Sequence, residues 1–101
     1  MAGILVLFKR VRPTTTVNFY VLSGTLLAGA VSLEQSYSLI ASESRSKDGL
    51  TMIRSLYFPT ESDYSLWAGS SAIHDIQTDR LQYNQAHGIT ELEEVIHLSG
   101  I

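Results

Sequence analysis

Arg54, Tyr57, Trp67, His74, Tyr83 and His87 are the side chains whose types and spacing suit chemistry. Trp67 and His74 lie seven residues apart across a Gly69-Ser70-Ser71 break, a spacing that can bring an indole and an imidazole to one side. Tyr83 and His87, with Asn84 between them, are one helical turn apart and can both line a cleft between a helix and a sheet. Arg54 interrupts an otherwise apolar strand face, where a cation is expensive to bury unless it is paired. Its candidate partners are Glu43 across a hairpin, a carboxylate of a second copy, or an anionic ligand between sheet and helices. Together with Tyr57, these groups could furnish an apolar cavity with a few polar groups, suited to a small apolar or aromatic ligand.

Each of them also has a plainer structural explanation, and the plainer one is favoured. Trp67 serves as a core anchor, because large aromatics dominate cores, and His74 sits on a helix surface. Tyr83 packs in the core with its hydroxyl on one partner, and His87 suits a helix C-terminus just before Gly88. Arg54 pairs with Glu43, since opposite charges across strands are common. No catalytic residue can be assigned. A Gly-rich phosphate loop and a GxSxG elbow are both missing, and no serine stands in order with a His and an acid. His74, His87 and His97 are too scattered for a metal site, cysteine is absent, and no cofactor is implied.

The elements that must position these residues are well punctuated between Phe58 and Ile89. Pro59 ends a strand, and Thr60 with Asp63 makes a capping-box-like helix start. Gly69-Ser70-Ser71 divides the helical stretch, and Gly88 is placed as a left-handed C-cap with Ile89 folding back. After the break, Ile73, Ile76, Tyr83 and Ala86 share one face, opposite Asp75, Thr78, Asp79 and Gln82. Asp75 stands near the new N-terminus, where a carboxylate suits the helix dipole.

Earlier in the chain, Gly3 to Arg12 reads as a central strand, with Phe8 and Val11 in, Lys9 and Arg12 out. A helix follows over Val17 to Ala30, weakened by Gly24 and Gly29. Period-two patterning over Leu33 to Ser46, the Ser46-Lys47-Asp48-Gly49 turn and the alternation of Leu50 to Phe58 make a hairpin. A last strand runs over Glu91 to Leu98. The order βαββαβ predicts an α+β, ferredoxin-like single domain over residues 1–101: a four-stranded antiparallel sheet with helices on one face. Met52, Leu56 and Tyr37 are candidates to project from the other face, which a second copy would cover.

At 101 residues with 45% apolar composition, the chain can bury one core and is not disordered. The net charge of −3 divides unevenly, with Lys9, Arg10, Arg12, Arg45, Lys47 and Arg54 all in the first 54 residues. That excess is small and lacks an aromatic or arginine-rich cluster, so it describes solvated strand edges rather than a nucleic-acid footprint. The uncharged stretch Pro13 to Leu33 is interrupted by threonines and serines and is too polar to span a membrane. MAGILVLFKR places its positive charges after the apolar run, the reverse of a secretory signal, so a cytoplasmic protein is expected.

The βαββαβ order, FPTESDY leading into a broken second helix, and the QYNQAHGI exit together resemble the dimeric α+β barrel superfamily of antibiotic-monooxygenase-like proteins. RVRPTTTVNFY, SKDGLTMIRSLYF and YNQAHGIT are similar to small uncharacterised proteins of marine phages and environmental sequences. The resemblance implies a homodimer whose two sheets pack face to face. Haem-degrading members use a Trp and a His in the helical region matched by Trp67 and His74, plus an Asn from the first strand; here that strand has no Asn, and Asn18 comes after it. The leading expectation is a non-enzymatic homodimeric ferredoxin-like protein, a phage-derived accessory. Its rivals are a cofactor-independent monooxygenase-like enzyme, or binder of an aromatic or haem-like ligand, and a virion or assembly component.

Overall fold

The computed structural model describes residues 3–98. The elements are β1 (Gly3–Val11), α1 (Gly24–Ser36), β2 (Ile40–Arg45), β3 (Thr51–Phe58), α2 (Glu61–Ala68), α3 (Ser71–His87) and β4 (Thr90–Leu98). All four strands form one antiparallel sheet in the order β2-β3-β1-β4, so β1 is central as its apolar first half requires. The result is an α+β chain with three helices on one face, corresponding loosely to a ferredoxin-like arrangement.

Local chemistry accounts for the element ends. Thr60 Oγ1 accepts the Asp63 N–H at 3.0 Å and opens α2, while Ser70 Oγ accepts the Ile73 N–H at 3.3 Å and opens α3. Gly88 closes α3 at φ 71°, and the Ile89 N–H folds back onto the Asn84 carbonyl at 2.9 Å. Asp48 Oδ1 takes the Leu50 N–H and the Ser46 hydroxyl, holding the hairpin turn around Gly49 at φ 75°. Asp75, however, lies beyond the first turn of α3, too far in to complement its N-terminal dipole.

The largest departure from the sequence reading is the first helix. It begins at Gly24 rather than near Val17, and it continues through Leu33 to Ser36, which the period-two pattern had assigned to a strand. The Val17 carbonyl accepts from Arg12 at 3.0 Å and the Asn18 carbonyl from the Tyr83 hydroxyl at 2.6 Å. Phe19 is buried beside Met52 and Ile89. Side chains therefore occupy the carbonyls that a helix would offer to its own N–H groups, and residues 17–23 run as an irregular bridge. Tyr37 is the C-cap of α1, and Ser38 at φ 52° makes the turn into β2.

Strand register divides the sheet into two unlike faces. Towards the helices lie Ile4, Val6 and Phe8 of β1 with Leu56 and Phe58 of β3, packed under Tyr64 and Trp67 of α2. Further along the same face the rows become charged: Phe8 pairs with Arg54 and Glu93, then Arg10 with Met52 and Glu91. The alternation puts Arg10 and Arg12 inward with Phe8 and turns Val11 outward, reversing the expected assignment of Val11 and Arg12. Met52 and Leu56 are buried under the helices and do not project from the open face. The open face instead presents Leu5, Leu7, Tyr57 and Ile96, with the exposed Ile40, Ile53 and Leu92 around them.

Candidate functional site

A cavity of about 630 Å³ lies on the helix side of the sheet, beneath the bridge 18–22 and α1. Phe8, Ala41, Met52 and Leu56 of the strands contribute its apolar floor, and Phe19, Leu27, Ile73, Ile76 and Trp67 its walls. Space exists there because α1 packs against α3, with Gly29 facing Ala72, and buries no side chain of its own. Leu27 and Val31 stay more than two-fifths exposed.

All five arginines of the chain line this cavity: Arg10, Arg12, Arg45, Arg54 and Arg80. Glu91 lies between two of them. Its Oε1 accepts from Arg10 Nε at 2.6 Å and Arg80 Nε at 2.9 Å, and its Oε2 from Arg80 Nη2 at 3.1 Å. Both guanidiniums approach the Phe8 ring, with Cζ 5.3 Å and 5.2 Å from its centroid. Arg12 donates to the Gly49 and Val17 carbonyls and lies 4.7 Å from the centroid of Phe19, with Arg45 at 5.3 Å. Arg54 faces Glu43 in the β2–β3 register, but the Glu43 carboxylate accepts from Arg45 at 3.3 Å instead. Among the described residues no carboxylate lies within 4.0 Å of Arg54. Arg10 is held below its ordinary range, chiefly by burial, with Arg80 and Arg54 adding repulsion against the pull of Glu91.

Two of the side chains singled out in the sequence share the cavity, Arg54 on its floor and Trp67 in its wall. Trp67 packs 5.1 Å from the Phe58 ring, whereas His74 is exposed on α3 and does not join it. Tyr83 and His87 do meet, with ring centroids 4.1 Å apart, but outside the cavity lining. Tyr57 is on the opposite face of the sheet. Arg10, Arg12, Arg45 and Arg80 escaped the sequence reading. Period two counted from the inward Phe8 carries to Arg10 and Arg12, but nothing local marks Arg80 or its meeting with Glu91.

Tyr20, on the bridge, donates its hydroxyl to Asp79 Oδ2 at 2.5 Å, tying the bridge to α3. Burial first, then this hydrogen bond and the Asp79 charge, push the phenol from its ordinary 10.0 to about 12. Between those values the unfolded chain releases the proton while the folded chain keeps it. Stability therefore falls as pH rises from about 10 to 12, and the Tyr20 contribution is complete below that window. Urea titrations across this range should show a smaller alkaline loss for Tyr20→Phe than for the parent chain. Equal slopes would remove Tyr20 from the account.

No known family model matches the chain, and no curated protein matches it. Among solved structures, the de novo designed protein Foldit4 is similar with a TM-score of 0.51 and 10% identity, each chain covered in full. Rv0793 from Mycobacterium tuberculosis superposes with a TM-score of 0.46 and 14% identity, over 97% of this chain and 95% of that one. At such identities the likeness to Foldit4 concerns the fold alone. Among the described residues no helix is long and apolar enough to cross a membrane, and no group of His, Asp or Glu could hold a metal ion.

Proposed function

We propose that this chain is a homodimeric binding protein of the dimeric α+β barrel type, holding a small, largely apolar molecule between its sheet and α1. The observation that carries this reading is the cavity. Its 630 Å³ falls within the range of ligand sites, and aromatic and aliphatic walls surround a few polar groups. Binding is preferred to catalysis because the lining is mostly cations and apolar surface, with Glu43 engaged by Arg45, while His74 and His87, suited to proton transfer, are exposed outside it. The dimer is supported by the open sheet face, where Leu5, Leu7, Tyr57 and Ile96 make a contiguous apolar surface on a slab of 42 × 32 × 17 Å.

Trp67 is the sole tryptophan and lines the cavity, so its fluorescence reports occupancy. The expected result is saturable quenching by naphthalene-sized probes at one site per protomer, with native mass spectrometry giving twice 11.2 kDa. A monomer would overturn the face-to-face pairing. Absence of saturable binding for both a neutral and an anionic probe would overturn the binding assignment.

A further inference from the structure

We infer that the ligand of this cavity is an amphiphilic organic anion, its oxyanion head, such as a carboxylate, held by Arg54 and its apolar body lying against Trp67, Phe8 and Ile76. The inference rests on the binding reading above and adds the class of ligand to it.

The first ground is the distribution of cations. Every arginine of the chain lines the cavity, while Lys9 lies on the open face of the sheet and Lys47 in the hairpin turn. Only two carboxylates, Glu34 and Glu43, line the cavity with the five guanidiniums; Glu91 lies between Arg10 and Arg80, and Glu93 follows on the row of Phe8. A chain of net charge −3 thus gathers a local excess of positive charge around one apolar space. Like charges so gathered repel one another, and an anion entering between them relieves that repulsion.

The second ground is the choice of arginine over lysine. A guanidinium presents a planar fork that matches an oxyanion with two parallel hydrogen bonds and stacks on aromatic faces; an ammonium does neither as well. Arg10 and Arg80 lie close to the Phe8 ring, and Arg12 and Arg45 close to Phe19. Those rings and the carbonyls around Arg12 hold four of the five in place.

The third ground is Arg54 itself. It is half-buried at the middle of the floor, with neither a carboxylate within 4.0 Å nor an aromatic platform among the described residues. A half-buried cation left in that condition costs stability unless something satisfies it. The hairpin does not, because Glu43 is engaged by Arg45. Beside Arg54 lie Phe8 in β1 and the apolar Leu56 and Met52 two positions either way along β3, so the head-group site adjoins the surface that would take the body.

The test is a matched pair of probes, 2-naphthoate and 2-naphthamide, titrated against Trp67 fluorescence in the intact protein. They share size and ring system and differ in the charge of the head. One charge-assisted bidentate contact corresponds to roughly 10- to 100-fold, so 2-naphthoate is expected to bind tighter by about that factor. Arg54→Gln should remove most of the preference and leave 2-naphthamide affinity within about 2-fold, while Arg54→Lys should retain part of it. Should Arg54→Gln fail to fold, Arg54→Lys still tests the point, because loss of the fork alone should cut the preference several-fold. Equal affinities for the two probes in the parent chain would overturn the inference and leave the binding reading standing. A preference unchanged in both variants would overturn the assignment of Arg54. Failure of both probes to bind would instead remove the binding reading beneath it.

Discussion

Glu91→Gln is expected to destabilise the folded chain by about 3–5 kcal/mol, because it leaves two buried guanidiniums without their counter-charge. The side chains of Arg10 and Arg80 are only 7% and 10% exposed, and Glu91, at 9%, is the acid common to both. Asn84, the remaining polar neighbour, offers Glu91 a weak contact at 3.5 Å and leaves its own Oδ1 without a partner among the described residues. Glu93, the next inward acid of β4, pairs in register with Phe8 and makes no ion pair with either guanidinium. Urea unfolding should show a lower midpoint with an unchanged slope, the signature of lost stability rather than altered compactness. The combination Glu91→Leu, Arg10→Met and Arg80→Met should recover most of the loss, since apolar replacement of a whole buried ion cluster is often neutral. Failure of Glu91→Gln to lower the unfolding free energy by more than about 1 kcal/mol would mean that water, not Glu91, satisfies the arginines. The triple variant should also discriminate less between anionic and neutral probes, because two of the cavity's five cations have gone.

Phe58→Ala is the second large effect, again about 3–5 kcal/mol but through a different mechanism. Phe58 is 0% exposed in the apolar rows of the sheet, paired in register with Ile4. Its ring meets Tyr64 edge-on at 5.4 Å and Trp67 at 5.1 Å, so one side chain joins β3 to α2. Truncation removes both aromatic contacts and leaves a void between sheet and helix. A small domain with a total stability of about 10 kcal/mol would lose a large part of it. The two variants differ spectroscopically. Phe58→Ala should shift native Trp67 emission to the red because the indole loses its support, whereas Glu91→Gln should leave that emission in place. A native Phe58→Ala protein with unchanged emission and stability would show that α2 is held by something other than this aromatic cluster.

What could be read from the sequence depended on neighbours within about four positions. The Thr60 cap, the Asp48-Gly49 turn, the Gly69-Ser70-Ser71 break and the Gly88 stop are local hydrogen-bonding and dihedral decisions, and the structure has each where the residues imply it. The alternation of β3 was legible too, including Arg54 on the apolar side and Ile53 on the other. The path of residues 17–23 was not. It is decided by Arg12 and by Tyr83, 65 residues on from the Asn18 it bonds. Local propensity is a weak prior, and such contacts override it.

The sequence by itself therefore determined the order of elements, the caps of α2 and α3 and the central place of β1, because short-range sterics and periodicity act before any fold exists. Only the tertiary structure decided which side of the hairpin faces the helices, and it alone gathered the arginines. Arg10 and Glu91 are 81 positions apart and meet because β4 pairs with β1, while Arg80 reaches the same carboxylate from α3. Charge balance between such residues is a property of the space they share, which no window along the chain contains.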